Sequence, residues 1–254
     1  MAQVTTNELI RADEAFSGNR LLSTFSREAR ALIEPFGKMI ELDPGQIVLT
    51  RGEQVSSSLF PVGPTLVSMA VELDAGRSVE VASIGRGGAV GGIVSCGHAP
   101  AFSRAEVLVG GPAFKVPMQA LEDAKSRSHF IGNLFCRYSD YLLSAVMQSV
   151  ACNAFHSITE RAARWLLYVQ DRAGDRIELT QDAFAGLLGV QRTTVNAVIK
   201  ELSSEGLVAT RRGTVSVIDR AGLKRRSCEC YQRLRDHYAA VIGPGGTGAG
   251  NDGV

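Results

Sequence analysis

Short apolar or alternating runs mark the chain from about residue 40 to 117: Ile47-Val48-Leu49, Leu66-Val67-Ser68-Met69-Ala70-Val71, Val79-Glu80-Val81 and Glu106-Val107-Leu108-Val109. Turn signals separate them, among them Pro44-Gly45, Arg51-Gly52, Gly63-Pro64, Ala75-Gly76, the glycines of 85–88 and Gly110-Gly111-Pro112. Short strands at regular spacing with glycine turns predict a β-sandwich, barrel or roll. After Pro117 glycine becomes sparse and helical periodicity takes over. One short helix is expected from Met118 to about Arg127, and a long one from about Phe130 to Cys152. Along the long helix, Ile131, Phe135, Tyr138, Leu142, Ala145, Ser149 and Cys152 recur at a mean step of about 3.5, the period of a coiled-coil seam. Leu134, Tyr141, Val146 and Val150 make a second stripe beside it. One stripe can pack on the chain's own roll and the other on a second copy, so a homodimer through this helix is expected. The competing reading is a helix buried within one chain.

The flanks differ. Residues 1 to about 18 are polar and unpatterned and read as a mobile arm. Ile158 to Asp171 reads as a helix with Trp165, Leu166 and Val169 inward, and Ile177-Glu178-Leu179 as a short strand. Beyond Tyr238 the tail is Gly-rich, as in a flexible linker. The expected division is an arm over 1–19, a β-roll over 20–128, the long helix over 129–153, a compact C-terminal domain over 154–238 and a tail over 239–254. The fold class is α+β.

Composition excludes some classes. Of 254 residues, 45% are hydrophobic and 21% charged, which rules out general disorder. The formal charge is only +1, so nucleic-acid binding would have to rest on a local patch. Such a patch exists: residues 190–226 hold eight basic side chains (Arg192, Lys200, Arg211, Arg212, Arg220, Lys224, Arg225, Arg226) against Glu201, Glu205 and Asp219. From Tyr141 to Thr159 no residue is charged, but Gln148, Asn153 and His156 make this stretch a poor membrane span, and no membrane association is expected. The first twenty residues do not resemble a secretory signal. The five cysteines, Cys96, Cys136, Cys152, Cys228 and Cys230, lack paired Cys-x-x-Cys spacing. A reducing, cytoplasmic setting with free thiols is therefore expected.

The most specific signal lies between Leu179 and Leu202. Thr180 is suited to cap a helix, its hydroxyl accepting from an orphan amide of the first turn. Ala185 is small where two helices must cross. Gly189 follows four residues later, where a sharp turn needs positive φ. Val195, Val198 and Leu202 give the second helix one apolar face, and the opposite face carries Gln191, Arg192, Thr193, Asn196 and Lys200. Two such helices predict a helix-turn-helix whose polar face meets base edges and phosphates; two amphipathic helices of an unrelated bundle are the alternative. Leu207-Val208-Ala209-Thr210 and Val215-Ser216-Val217-Ile218 then read as a hairpin with Arg211 and Arg212 at its turn. After a recognition helix that is a wing, and its arginines would touch phosphate; solvated turn charge is the plainer alternative.

Residues of about 20–232 resemble the Crp/Fnr superfamily of bacterial transcription regulators. The resemblance is carried by the glycine-punctuated roll, the long helix, Leu188-Gly189-Val190-Gln191-Arg192-Thr193-Thr194-Val195 and the wing Arg211-Arg212-Gly213. Asn153-x-x-His156-Ser157 with Glu160-Arg161-Ala162-Ala163-Arg164-Trp165, and the closing Cys228-Glu229-Cys230-Tyr231, are similar to a proteobacterial subgroup. The resemblance implies a cyclic-nucleotide-binding-like β-roll, a dimerisation helix and a C-terminal winged helix-turn-helix. It implies double-stranded DNA as partner, with self-association into a homodimer on an inverted repeat whose half-sites lie about 34–36 Å apart. The recognition helix, about 191–203, would lie in the major groove. Arg192 falls where the family grips guanine, and Thr194 where a threonine meets phosphate. Thr193 and Ala197 depart from the catabolite-activator pattern of a glutamate and a second arginine, so Gln191, Thr193 and Asn196 would read altered bases. Thr180, Lys200, Arg211 and Arg212 complete the expected phosphate contacts. Contact with RNA polymerase is left open.

The family's effector pocket is altered. Where cyclic-nucleotide-binding members carry Gly-Glu-hydrophobic, this chain has Gly91-Gly92-Ile93, and the arginine of Ser103-Arg104-Ala105 is displaced by one residue. Cyclic AMP bound in the usual way is therefore disfavoured. An anion on Arg104 and the glycine-turn amides, a different effector or none stay open. With no cysteine before Cys96, the family's N-terminal iron–sulfur cluster is not expected. Cys96-Gly97-His98 sits where the carbon-monoxide-sensing member has a haem ligand, so haem is left open against the reading of an ordinary loop. Cys228 and Cys230 have too few ligands nearby in sequence for zinc, since Cys152 and His237 are distant. They read as structural thiols or a redox pair, His156 as a backbone-bonding residue, and no metal is expected. An enzyme using Cys96 with His98, or Cys136 with His129, lacks an orienting carboxylate and is not expected. A sensor whose output is protein interaction is the other alternative.

Overall fold

The computed structural model describes residues 13–74, 78–93, 99–211 and 213–243. It opens on α1 (residues 13–18) and the single turn α2 (Arg27–Arg30). The roll follows: β1 (Lys38–Leu42), β2 (Ile47–Leu49), β3 (Ser57–Pro61), β4 (Leu66–Glu72), β5 (Ser78–Ile84), β6 (Arg104–Val109) and β7 (Gly111–Pro117). These strands form two antiparallel sheets, ordered β1-β7-β3 and β2-β6-β4-β5. Inward residues Leu42, Leu59, Val67, Ile84, Val107 and Ala113 fill the space between them, as alternation along each strand requires.

Of the arm expected over residues 1–19, residues 1–12 lie outside the described residues, and 13–19 are packed into the fold. Ala15 and Phe16 of α1 are fully buried, with Phe16 tilted against Phe114 at 5.7 Å between centroids. Asn19 is fully buried as well. Its amide nitrogen donates to the carbonyls of Pro61 and Gly88, and its Oδ1 accepts from the amides of Leu21 and Leu22. An apolar pair in a polar segment is too weak a pattern to read, but one phenylalanine suffices to anchor a turn.

After α3 (Met118–Arg127) comes α4 (His129–Phe155), a helix of 27 residues capped by Ser128, whose side chain accepts from the Ile131 amide. The stripe expected to form the dimer seam is turned inward at its start. Ile131, Phe135 and Tyr138 are buried in the core shared with Phe60, Phe114 and Val116, and the Tyr138 hydroxyl accepts from the Ala89 amide at 3.0 Å. Leu142 packs on the same core, while Ala145 and Ser149 face a cavity within the chain. The face left outside is Leu143, Met147 and Val150, at 56, 63 and 65% exposure. This face matches neither expected stripe: Leu134 of the second is buried with the first, and only its Val150 stands outside, because the roll covers one side of an apolar helix.

The C-terminal domain comprises α5 (Ile158–Ala173), β8 (Arg176–Glu178), α6 (Gln181–Leu188), α7 (Arg192–Ser204), β9 (Val208–Arg211), β10 (Thr214–Val217), α8 (Arg220–Arg226) and α9 (Cys230–Ile242). Ser157 and Glu160 form a reciprocal capping box at the start of α5. The last helix runs past Tyr238, where the tail was expected, because Ile242 is buried against the core. It lies along α4: Tyr238 meets Tyr141 edge-on at 5.0 Å and donates to the Gly87 carbonyl at 2.7 Å. Among the described residues no helix is long and apolar enough to cross a membrane.

The C-terminal core also reaches the roll, taking in Leu66, Leu108 and Val109. Across this contact the Trp165 indole donates to Glu80 Oε1 at 3.0 Å, and the Ser83 hydroxyl donates to the same oxygen. Burial dominates these hydrogen bonds and raises the Glu80 carboxyl above the usual range. A raised carboxyl favours the fold while protonated. That contribution is full below the unfolded value and is lost as pH rises through the folded one. Glu80→Gln keeps an acceptor for Trp165 and cannot ionise. It is expected to melt with the native protein at pH 4 and above it at pH 7; thermal unfolding across that range checks this.

Candidate DNA-binding face

Thr180 caps α6 as its position suggests, its hydroxyl accepting from the Ala183 amide at 3.1 Å. At the other end Gly189 adopts φ 66°, ψ 36°, and its amide bonds back to the carbonyls of Ala185 and Gly186. This left-handed residue turns the chain into α7 within three positions. Val195, Val198, Ile199 and Leu202 of α7 are buried against Phe184, Ala185 and Leu188 of α6. Gln191, Arg192, Thr193, Asn196 and Lys200 are exposed on the outer face, with Thr194 half-buried. Ala197 is exposed among them.

The hairpin β9–β10 pairs from Thr214↔Arg211 to Val217↔Val208, and β8 adds a third strand through Thr214↔Glu178. Gly213 takes φ 72° at its turn. Arg211 is exposed there, and Arg212 lies outside the described residues. Helix and wing enclose an open cleft of about 430 Å³, lined by Thr180, Gln181, Asp182, Arg192, Thr210 and Arg211 among others. The structure thus brings Thr180, Arg192 and Arg211 to one opening.

Charge is distributed less evenly than the count of eight cations implies. Arg220 is tied to Asp171 at 2.6 Å and to the Tyr231 hydroxyl. Arg226 holds Glu201 and Glu205, and Arg225 reaches Asp219. These three support the domain from inside the patch. Arg192 makes an ion pair with Asp182 at 3.1 Å, both side chains more than half exposed. An exposed pair of this kind is worth about 0–1 kcal/mol, so the guanidinium can be released to a better anion.

The altered effector pocket looks different in three dimensions. Gly91 and Gly92 do take positive φ, 90° and 65°, but a side chain on either would strike the Ser57 carbonyl or the Met118 thioether. Ser103 is buried, and Arg104 is paired with Glu72 at 3.0 Å and Glu106 at 2.9 Å. The arginine offered as an anion ligand is therefore already neutralised, and none of these four residues lines either cavity described here. Cys96-Gly97-His98 lies outside the described residues. The second cavity, about 360 Å³, sits instead between β5, α4 and α5, with Arg86, Arg164, Arg172 and Tyr168 in its wall. Sequence reasoning missed it because its walls come from segments far apart in the chain. It also missed the gathering of Cys152, His156, Cys228 and Cys230 at one point.

A two-sheet roll, a long helix and a winged helix-turn-helix together define the architecture of Crp/Fnr transcriptional regulators. Residues 160–226 match the family model of the Crp-like helix-turn-helix domain. No curated protein matches the chain. Among solved structures, FixK2 from Bradyrhizobium japonicum superposes with a TM-score of 0.65 at 16% identity, covering 76% of this chain and 98% of its own. A CRP-family transcriptional regulator from Thermus thermophilus gives 0.62 at 19% identity, covering 74% and 96%. The c-di-GMP responsive regulator CLP from Xanthomonas campestris gives 0.59 at 18% identity, covering 75% and 97%. The chain carries a Crp-like helix-turn-helix domain on a Crp/Fnr fold.

The turn itself is testable. A side chain at Gly189 would pay for left-handed backbone and would approach Val79 Cγ2 at 3.3 Å. Gly189→Ala is expected to cost about 1–2 kcal/mol, seen as a lower urea midpoint with an unchanged slope.

Proposed function

We propose that the protein is a homodimeric transcriptional regulator that reads an inverted-repeat operator in the cytoplasm. The observation that carries this reading is the division of α7, apolar side chains buried on α6 and Gln191, Arg192, Thr193 and Asn196 exposed beside an arginine-bearing wing. A helix of about 20 Å with such a face fits the major groove. Arg192 leaves Asp182 to donate to a guanine, and Gln191, Thr193 and Asn196 read neighbouring edges. Thr180, Thr194, Lys200 and Arg211 hold phosphates, with Arg212 beside them in sequence.

Two copies meet through the outer face of α4. Leu143, Met147 and Val150 stand at i, i+4 and i+7, each more than half exposed, which is the spacing of a helix–helix seam. This moves the dimer contact one residue along from the stripe through Leu142, whose start is inside the chain.

Selection from a random duplex pool tests the whole reading; one enriched inverted repeat is expected, and absence of any sequence preference would refute it. Arg192→Ala should lose about 1–3 kcal/mol of discrimination at one position per half-site while retaining weaker binding. Equal loss on every sequence would reduce Arg192 to a phosphate contact. Met147→Asp should yield monomers in light scattering and lose operator binding together. A dimer that persists would place the contact elsewhere.

A further inference from the structure

Four side chains from two separate stretches meet where α4 ends. Cys152 lies in the last turn of α4 and His156 is its C-cap, while Cys228 and Cys230 flank the junction of α8 and α9. Their ligand atoms all lie within 4.8 Å of one another. The Sγ atoms of Cys152 and Cys228 are 3.6 Å apart, and Cys230 Sγ is 3.5 Å from His156 Nδ1. A tetrahedral ion with metal–sulfur bonds of about 2.3 Å requires sulfurs about 3.8 Å apart, close to the Cys152–Cys228 separation of 3.6 Å. The three thiols form a buried cluster of their own, separate from the hydrophobic cores.

The surroundings match as well. His156 Nε2 faces the Glu229 carboxylate at 3.1 Å, so the proton sits on Nε2 and Nδ1 is left to bind. The Gln148 amide donates to Cys230 Sγ at 3.0 Å. Arg161, on the following helix α5, donates to the Leu188 carbonyl at 2.7 Å, at the end of α6.

We propose that Cys152, His156, Cys228 and Cys230 form a Cys3His site for a zinc ion that fastens the end of α4 to the α8–α9 junction. Binding forms three zinc–sulfur bonds and one zinc–nitrogen bond, and the protons of the three thiols leave to solvent. The resulting single negative charge lies beside Arg161 and Arg164. An iron–sulfur cube does not suit ligands this close together, since its thiolates stand around several metal atoms. Ligands that look too distant in sequence are brought together by folding, Cys152 and Cys228 standing 76 positions apart. The site stands independently of the DNA reading.

Full-length protein, stripped with a chelator under reducing conditions, is titrated with Co2+ and then Zn2+. One Co2+ per chain is expected, with the intense visible bands of a tetrahedral thiolate site, displaced by one Zn2+ that raises the melting temperature. Cys136→Ser, at an exposed thiol outside the cluster, should bind like the native chain, and Cys230→Ser should lose stoichiometric binding. Glu229→Gln keeps all four ligands, guards against misfolding of the cysteine variant, and should bind about 10–100-fold more weakly at the same stoichiometry. Weak octahedral spectra, unchanged affinity in Cys230→Ser, or a Cys152–Cys228 disulfide in place of bound metal would each overturn the proposal.

Discussion

The packing of α4 is the constraint on which the other parts depend. Its 27 residues span about 40 Å, long enough to serve three neighbours in turn. The first three turns are part of the roll's core, through Ile131, Leu134, Phe135 and Tyr138. The middle receives α9 through Tyr141 and Ser144. The last turn reaches the cysteine cluster. The roll and the C-terminal domain are therefore joined by one continuous helix whose side chains are packed at both ends.

The DNA-facing surface shows how a chain of formal charge +1 can present a local positive field. Arg220, Arg225 and Arg226 face carboxylates within the domain and set the position of α8. Arg192, Lys200 and Arg211 remain on the outer face of helix and wing. Counting charges along the sequence merges these two groups. Only the three-dimensional arrangement separates structural cations from those available to phosphate, and the separation bears directly on salt dependence.

Much of the fold was legible because its signals are local. Glycine turns between short runs announced the roll, and Thr180, Ala185 and Gly189 announced the helix-turn-helix, each by a conformational need that sequence spacing expresses. What was not legible depended on distant partners. Apolar residues lie all around α4, so burial of Tyr138 and exposure of Met147 follow only from where the roll lies. Phe16 is anchored by Phe114, nearly a hundred residues on. Arg104 looked like an anion ligand until Glu72 and Glu106 flanked it. The cysteines were judged by sequence separation, a poor guide once α9 returns along α4.

The junction between α4 and α5 joins these points. His156 is extended, at φ −105° and ψ 144°, and the Ser157–Glu160 box restarts the helix at once. A break of two residues leaves the angle between the two helices unset by local hydrogen bonds. It is set instead by contacts from afar: Trp165 on Glu80, Arg161 on Leu188, and the Cys152–Cys228 approach. Two of the three involve a carboxyl or a thiol, at residues that do not line the DNA-facing cleft. The motifs around His156 and Cys228-Glu229-Cys230 thereby acquire a physical reason. They lie where a short hinge needs side chains to hold it.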